Sequence, residues 1–111
     1  MYRTNVRSLK AVRFGEIGAS RVVMKQLVGK EDGAEKTALH EIRFQKGGRT
    51  SAHSHNWQHQ MLVVSGRGVL ISEGKETPLA PGDVLLIARK EEHGFAQRGR
   101  EPLLILTVTP L

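Results

Sequence analysis

The sequence contains no cysteine, which excludes disulfide cross-links and thiolate ligands, so any bound metal must be held by nitrogen or oxygen. No apolar run approaches the roughly 20 residues of a membrane span. The opening residues also lack the apolar stretch of a secretory leader, and a cytoplasmic protein with no membrane partner is expected. Aromatic residues are only 5% of the chain; no basic stretch interleaves with them and no helix-turn-helix pattern is visible, so no nucleic-acid partner is expected despite the net charge of +6. That charge is uneven: residues 1–49 carry 11 Lys/Arg against 5 Asp/Glu, and residues 50–111 carry 6 against 6. The excess reads as solvated strand faces or an attraction for anionic small molecules. A length of 111 residues gives room for one domain, here 1–111.

Apolar residues at helical spacing are nearly absent too, and short alternating segments closed by turn residues take their place. Strands are expected at 21–28, 38–45, 58–64, 68–73, 83–88, 93–97 and 103–109. Turns are expected at Gly29–Gly33, Gly47-Gly48, Ser65-Gly66, Gly74-Lys75 and Pro81–Asp83. This is an all-β pattern, of the kind that builds a sandwich or a barrel. Residues 1–19 hold a weak apolar segment around Val12 and Phe14, expected to add an edge strand.

Three of the five histidines fall within seven residues, in His53-Ser-His55-Asn-Trp57-Gln-His59, and share parity, which in a strand puts them on one face. Buried imidazoles lose hydration, and protonated neighbours repel one another. A cation removes both problems, because neutral imidazole is a good ligand for first-row divalent ions. His93 would join from another strand.

The spacing around these histidines resembles the cupin superfamily. Its first motif runs Gly, five residues, His-x-His, three or four residues, Glu, six residues, Gly; this chain has Gly47, His53, His55, His59 and Gly66 at those positions, within 47–66. Its second runs Gly, five residues, Pro-x-Gly, two residues, His, three residues, Asn; here Gly82, Ala88, Lys90, His93 and Gln97 stand there, within 82–97. The metal-binding Glu is replaced by His59, and the second motif has lost its Pro and Gly. The pattern is most similar to small single-domain cupins with four histidine ligands.

The resemblance implies a jelly-roll barrel (double-stranded β-helix) holding one divalent ion per chain through His53, His55, His59 and His93. Manganese is the expected ion, with iron, nickel, copper and zinc as alternatives. Gln60 competes with His59 for the fourth place, but its amide is a poorer donor and its parity is opposite. His40, inward on the alternating strand Ala38–Phe44, and Trp57 and Phe95 are candidates for the substrate pocket of a small molecule. No general acid or base stands out, since Glu73, Glu76, Glu91 and Glu92 lie in hydrophilic stretches. A metal-dependent oxidoreductase resembling a dioxygenase is the first expectation; a metal-assisted isomerase, decarboxylase or lyase, or a non-catalytic binding protein, are the rivals. Both faces of 103–109 are apolar, which predicts a homodimer.

Overall fold

Segments with an apolar residue at every second position become strands because the pleat sends alternate side chains to opposite faces. The computed structural model describes residues 1–16 and 18–111. Its strands are β1 (Val12–Arg13), β2 (Ser20–Val28), β3 (Thr37–Arg49), β4 (His59–Ser65), β5 (Arg67–Ser72), β6 (Lys75–Leu79), β7 (Val84–Ile87), β8 (Gly94–Arg98) and β9 (Leu103–Pro110). All are paired antiparallel in the order β6-β5-β8-β3-β9-β4-β7, with β2 on β3 and β1 on β2. The sheet curls into the cupin barrel that the motifs imply. No helix among the described residues is long and apolar enough to cross a membrane.

Two segments depart from the turn pattern in the sequence. Gly47-Gly48 lies inside β3, where Gly47 takes a φ of +77° and bends the strand instead of ending it. Before the bend, β3 lies between β2 and β9; beyond it, Arg49 pairs with Ala96 of β8. The second departure is β6, whose Lys-Glu-Thr-Pro composition hides it. Glu73 and Gly74 both have positive φ and form the two-residue hairpin that returns β6 onto β5. Pro78 is tolerated because β6 is an edge strand.

Three neighbouring strands carry the same gradient along their inward faces. Residues run His40, Ile42, Phe44 on β3, then Thr107, Ile105, Leu103 on β9, then His59, Met61, Val63 on β4. The register places His40 opposite Thr107, Ile42 opposite Ile105 and Phe44 opposite Leu103, and Met61 opposite Thr107 and Val63 opposite Ile105. One end of the barrel is therefore apolar and closed: Phe44, Val63, Leu103 and Ile105 are at most 2% exposed. The other end is polar and holds the histidines.

Candidate metal centre

The two motif segments are tied to each other by backbone hydrogen bonds. His53 and His93 exchange both of theirs, at 3.0 and 2.8 Å; Thr50 N–H donates to Phe95 O at 2.9 Å; and Lys90 N–H donates to His55 O at 2.6 Å. Lys90 stands where the cupin pattern has glycine and still adopts a φ of +64°, a conformation that costs a side-chain-bearing residue about 1 kcal/mol or more. Glu91 helps to hold the turn, its carboxylate accepting from Ala88 N–H at 2.9 Å. Gln97 ties the ends of the motifs together: its Oε1 accepts from Gly47 N–H at 3.0 Å, and its Nε2 donates to the carbonyls of Gly99 and Glu101.

These bonds gather the imidazoles. Nitrogens of His53, His55 and His93 lie within 4.8 Å of one another, and these three form a group that could hold a metal ion. His59, the first residue of β4, stands beside them, its ring centroid 5.0 Å from that of His55 and 5.4 Å from that of His93. His53 Nδ1 is 2.7 Å from Ser51 O, and His93 Nδ1 is 2.8 Å from Glu91 O. Each carbonyl can only accept, so Nδ1 carries the proton in both rings and Nε2 presents its lone pair. The Nε2 atoms of His53 and His55 face each other at 3.0 Å. His59 is buried, and neither of its ring nitrogens has a hydrogen-bond partner.

Burial lowers the pKa of His55, His59 and His93, that of His59 to about 4. The neighbouring imidazoles push all three further down, while the Glu91 carbonyl opposes the shift at His93. The three rings are therefore neutral near pH 7, the state a cation requires. Converging neutral lone pairs, with two orphaned nitrogens on His59, are a donor set that fits a divalent ion.

A cavity of about 240 Å³ takes in the cluster, its lining mixing the histidines, Glu16 and threonines with apolar side chains such as Ile42, Met61 and Phe95. All three pocket candidates border it. His40 is half-buried, and burial lowers its pKa. Trp57 is exposed and stacks on His55 with centroids 4.5 Å apart and planes 9° apart. Phe95 is buried between the rings of His93 and Phe44, at 6.3 and 5.9 Å. Gln60 is on the exposed face of β4 and does not border this cavity.

Four polar residues of the lining, Glu16, Thr50, Thr107 and Thr109, were not singled out in the sequence. Thr107 buries its Oγ1 without a partner, and its inward parity beside Leu103 and Ile105 was the available signal. Glu16 brings its carboxylate against His53 Nε2, and burial raises its pKa while His53 opposes the shift. The signal there was faint: Glu16 is the only acidic residue before Glu31 and sits two residues from Phe14.

Comparisons with known proteins agree with this architecture. A polyketide cyclase, RemF from Streptomyces resistomycificus, superposes with a TM-score of 0.95 at 30% identity, covering 99% of this chain and 79% of that one. An oxalate-binding protein of Thermotoga maritima is 28% identical over 93 residues, 82% of this chain and 77% of the relative. A cupin sugar phosphate isomerase from Silicibacter pomeroyi, 19% identical, has a TM-score of 0.81 over 99% of this chain and 76% of its own, a likeness of fold alone. The family model of Cupin_2, the cupin domain, matches residues 40–109, and the chain belongs to that family.

Proposed function

We propose that the chain is a divalent-metal-dependent enzyme that rearranges a small, largely apolar organic molecule bearing carbonyl or hydroxyl oxygens, with ring closure as the type of reaction. His53, His55, His59 and His93 hold the ion, manganese being expected, though iron, nickel, copper and zinc suit the same donors. The observation that carries the reading is the cavity itself, in which apolar side chains such as Ile42, Met61 and Phe95 stand beside the imidazoles of His53, His55, His59 and His93. Such a lining suits a substrate with an apolar body better than a compact dianion such as oxalate. The 30% identity to a polyketide cyclase over 99% of the chain supports the same direction.

The bound ion supplies a Lewis acid that polarises a substrate oxygen. The protein supplies placement. Trp57 and Phe95 flank the cluster and give the substrate body apolar contact. His40 and Thr107, opposite each other on β3 and β9, offer polar atoms to a second substrate oxygen, and the unpartnered Thr107 Oγ1 gains a hydrogen bond when one binds.

Oxidation by dioxygen or peroxide is the second reading, favoured by the open positions that four neutral nitrogen donors leave on a redox-capable ion. Metal-free protein reloaded with zinc, manganese or iron, and given aromatic polyketones in which an activated methylene can add to a ketone of the same molecule, forming a ring carbon–carbon bond with release of water, separates the two. Turnover with zinc and no oxygen uptake is expected. Turnover only with manganese or iron, with oxygen consumed, would establish oxidation instead; tight binding with no turnover for any ion would leave a binding protein.

A further inference from the structure

Beside the histidine cluster stands a carboxylate that neither motif supplies. We propose that Glu16 is a further protein ligand of the ion, delivered by the segment ahead of β2 in place of the carboxylate that motif 1 lacks at His59. This rests on the reading of His53, His55, His59 and His93 as ligands.

The first argument is a crowd of acceptors. In the neutral His53 ring Nδ1 donates to Ser51 O at 2.7 Å and Nε2 offers a lone pair. That nitrogen lies 3.0 Å from Nε2 of His55 and in contact with a Glu16 oxygen. One proton can bridge one pair of these atoms and leaves the third lone pair facing another. A divalent cation satisfies all three at once. Glu16 Oε1 is shut off from solvent and has no hydrogen-bond donor of its own beyond that contact. The side chain as a whole is 24% exposed, so the burial falls on this one oxygen, and a carboxylate oxygen that loses water is costly unless a cation compensates it.

The second argument is that Glu16 is held in place rather than free to reach. β1 pairs Val12 with Met24 and Arg13 with Val23. Phe14 N–H donates to Val22 O at 3.0 Å, and the Phe14 ring packs against the core. Ala19 N–H donates to Glu16 O at 3.0 Å. Gly18 has a φ of +80°, and a Cβ there would fall 1.8 Å from Ser51 Oγ. Only glycine lets the backbone at this position press so closely on the loop that begins the histidine motif.

The third argument is charge. Four imidazoles leave both positive charges of a divalent ion uncompensated, and a carboxylate oxygen returns one negative charge with a donor suited to manganese.

Cobalt(II) is a suitable probe, because its visible absorption reports coordination number and its affinity can be read by chelator competition. The parent, Glu16→Gln, Glu16→Asp and Gly18→Ala are compared, with far-UV circular dichroism to establish folding. Changes to groups that only support ligands cost about 10- to 100-fold in affinity. Glu16→Gln and Glu16→Asp should therefore each lose at least about tenfold and alter the absorption band, and Gly18→Ala should weaken binding in the same direction. Parent affinity and spectrum in Glu16→Gln would overturn the proposal and leave Glu16 as the ion-pair partner of a protonated His53. Full affinity in Glu16→Asp alone would also overturn it, since a remote charge survives that change and a ligand of fixed reach does not. A parent that binds no cobalt would overturn the histidine reading along with this one, whereas a parent that binds it beside an unchanged Glu16→Gln removes only this one.

Discussion

Phe44, Leu103 and Val63 at one end of the barrel, and His40, Thr107 and His59 at the other, are inward residues of the same three strands in continuous register. At the first end every side chain is apolar and packed. At the second, His59 and Thr107, with Glu16 beside them, bury polar atoms that have no hydrogen-bond partner, and all the buried orphaned side-chain atoms among the described residues border the cavity. A group that loses water and gains nothing destabilises the fold by about 1–3 kcal/mol. The closed end must offset that cost, and a ligand or ion arriving at the open end removes it. Damage to the closed end should thus appear in folding, and damage to the open end in binding.

The largest effect is expected at the closed end. Phe44→Ala empties a site that is at most 2% exposed and should destabilise by about 3–5 kcal/mol, read as a shifted midpoint in urea. Metal affinity of the molecules that remain folded should stay close to that of the parent. A large loss of affinity without a loss of stability would mean that the two ends are not separable in this way.

His59→Ala should do the reverse. Metal affinity should fall by about 100-fold, the upper end of what supporting groups cost, because a ligand itself is removed. The metal-free protein should lose little stability, since an orphaned buried ring goes with the substitution. His59→Glu should restore tight binding, and Gln60→Ala, on the exposed face of β4, should leave metal content unchanged. If Gln60→Ala loses the metal and His59→Ala keeps it, the ligand assignment fails.

Acid should sharpen the contrast further. In the folded chain burial, reinforced by the neighbouring imidazoles, holds His59 at about 4, against an ordinary value near 6.5. Below 6.5 the unfolded chain takes up a proton that the folded chain refuses, so stability present above 6.5 is lost as pH falls toward 4. Each histidine in this state contributes a slope of up to about 1.4 kcal/mol per pH unit. His40, His55 and His93 shift in the same direction. Glu16, raised by burial, works against them as one group against four. The metal-free parent should have a lower urea midpoint at pH 5 than at pH 7, and His59→Leu should flatten the dependence. A flat profile in the parent would show that the rings are not buried and neutral.

Much of this was legible because strand parity and motif spacing act over a few residues. Alternation in Ala38–Phe44 put His40 inward, shared parity put His53, His55 and His59 on one face, and the cupin resemblance added His93; the structure groups the nitrogens of His53, His55 and His93 within 4.8 Å of one another and sets the His59 ring beside them. What escaped depends on long-range placement. Glu16 reaches His53 only because β1 lies on β2 and Gly18 packs on Ser51, and no local pattern encodes that arrival. β6 escaped because edge strands tolerate the polar residues and the proline that otherwise mark loops. Gly47-Gly48 looks like a turn in sequence and serves as a bend inside β3, since positive φ alone does not distinguish the two.

The smallest effect on the subunit, and the largest on assembly, is expected on the outer face of β9, β4 and β7. Leu106 pairs with Leu62 and Val108 with Gln60 across β9 and β4, and Leu62 pairs with Val84 and Gln60 with Leu86 across β4 and β7. Their outward side chains form one apolar surface, with Val84 76% and Leu86 60% exposed. An antiparallel sheet facing water should present polar residues there. The N-terminal residues do not cover it: β1 lies on β2, Tyr2 hydroxyl donates to Leu27 O, and Lys25 Nζ donates to Val6 O, all on the β2 side. A second copy, related by a two-fold axis that sets this face against itself, is the expected cover. The parent should sediment as a dimer at micromolar concentration. Leu86→Asp should yield a monomer whose metal affinity is unchanged and whose intrinsic stability moves by no more than about 0.5 kcal/mol, as for other surface substitutions. A monomeric parent would refute the pairing. A dimer untouched by Leu86→Asp would move the contact to another face, with the closed end and the metal end of each barrel left as they are.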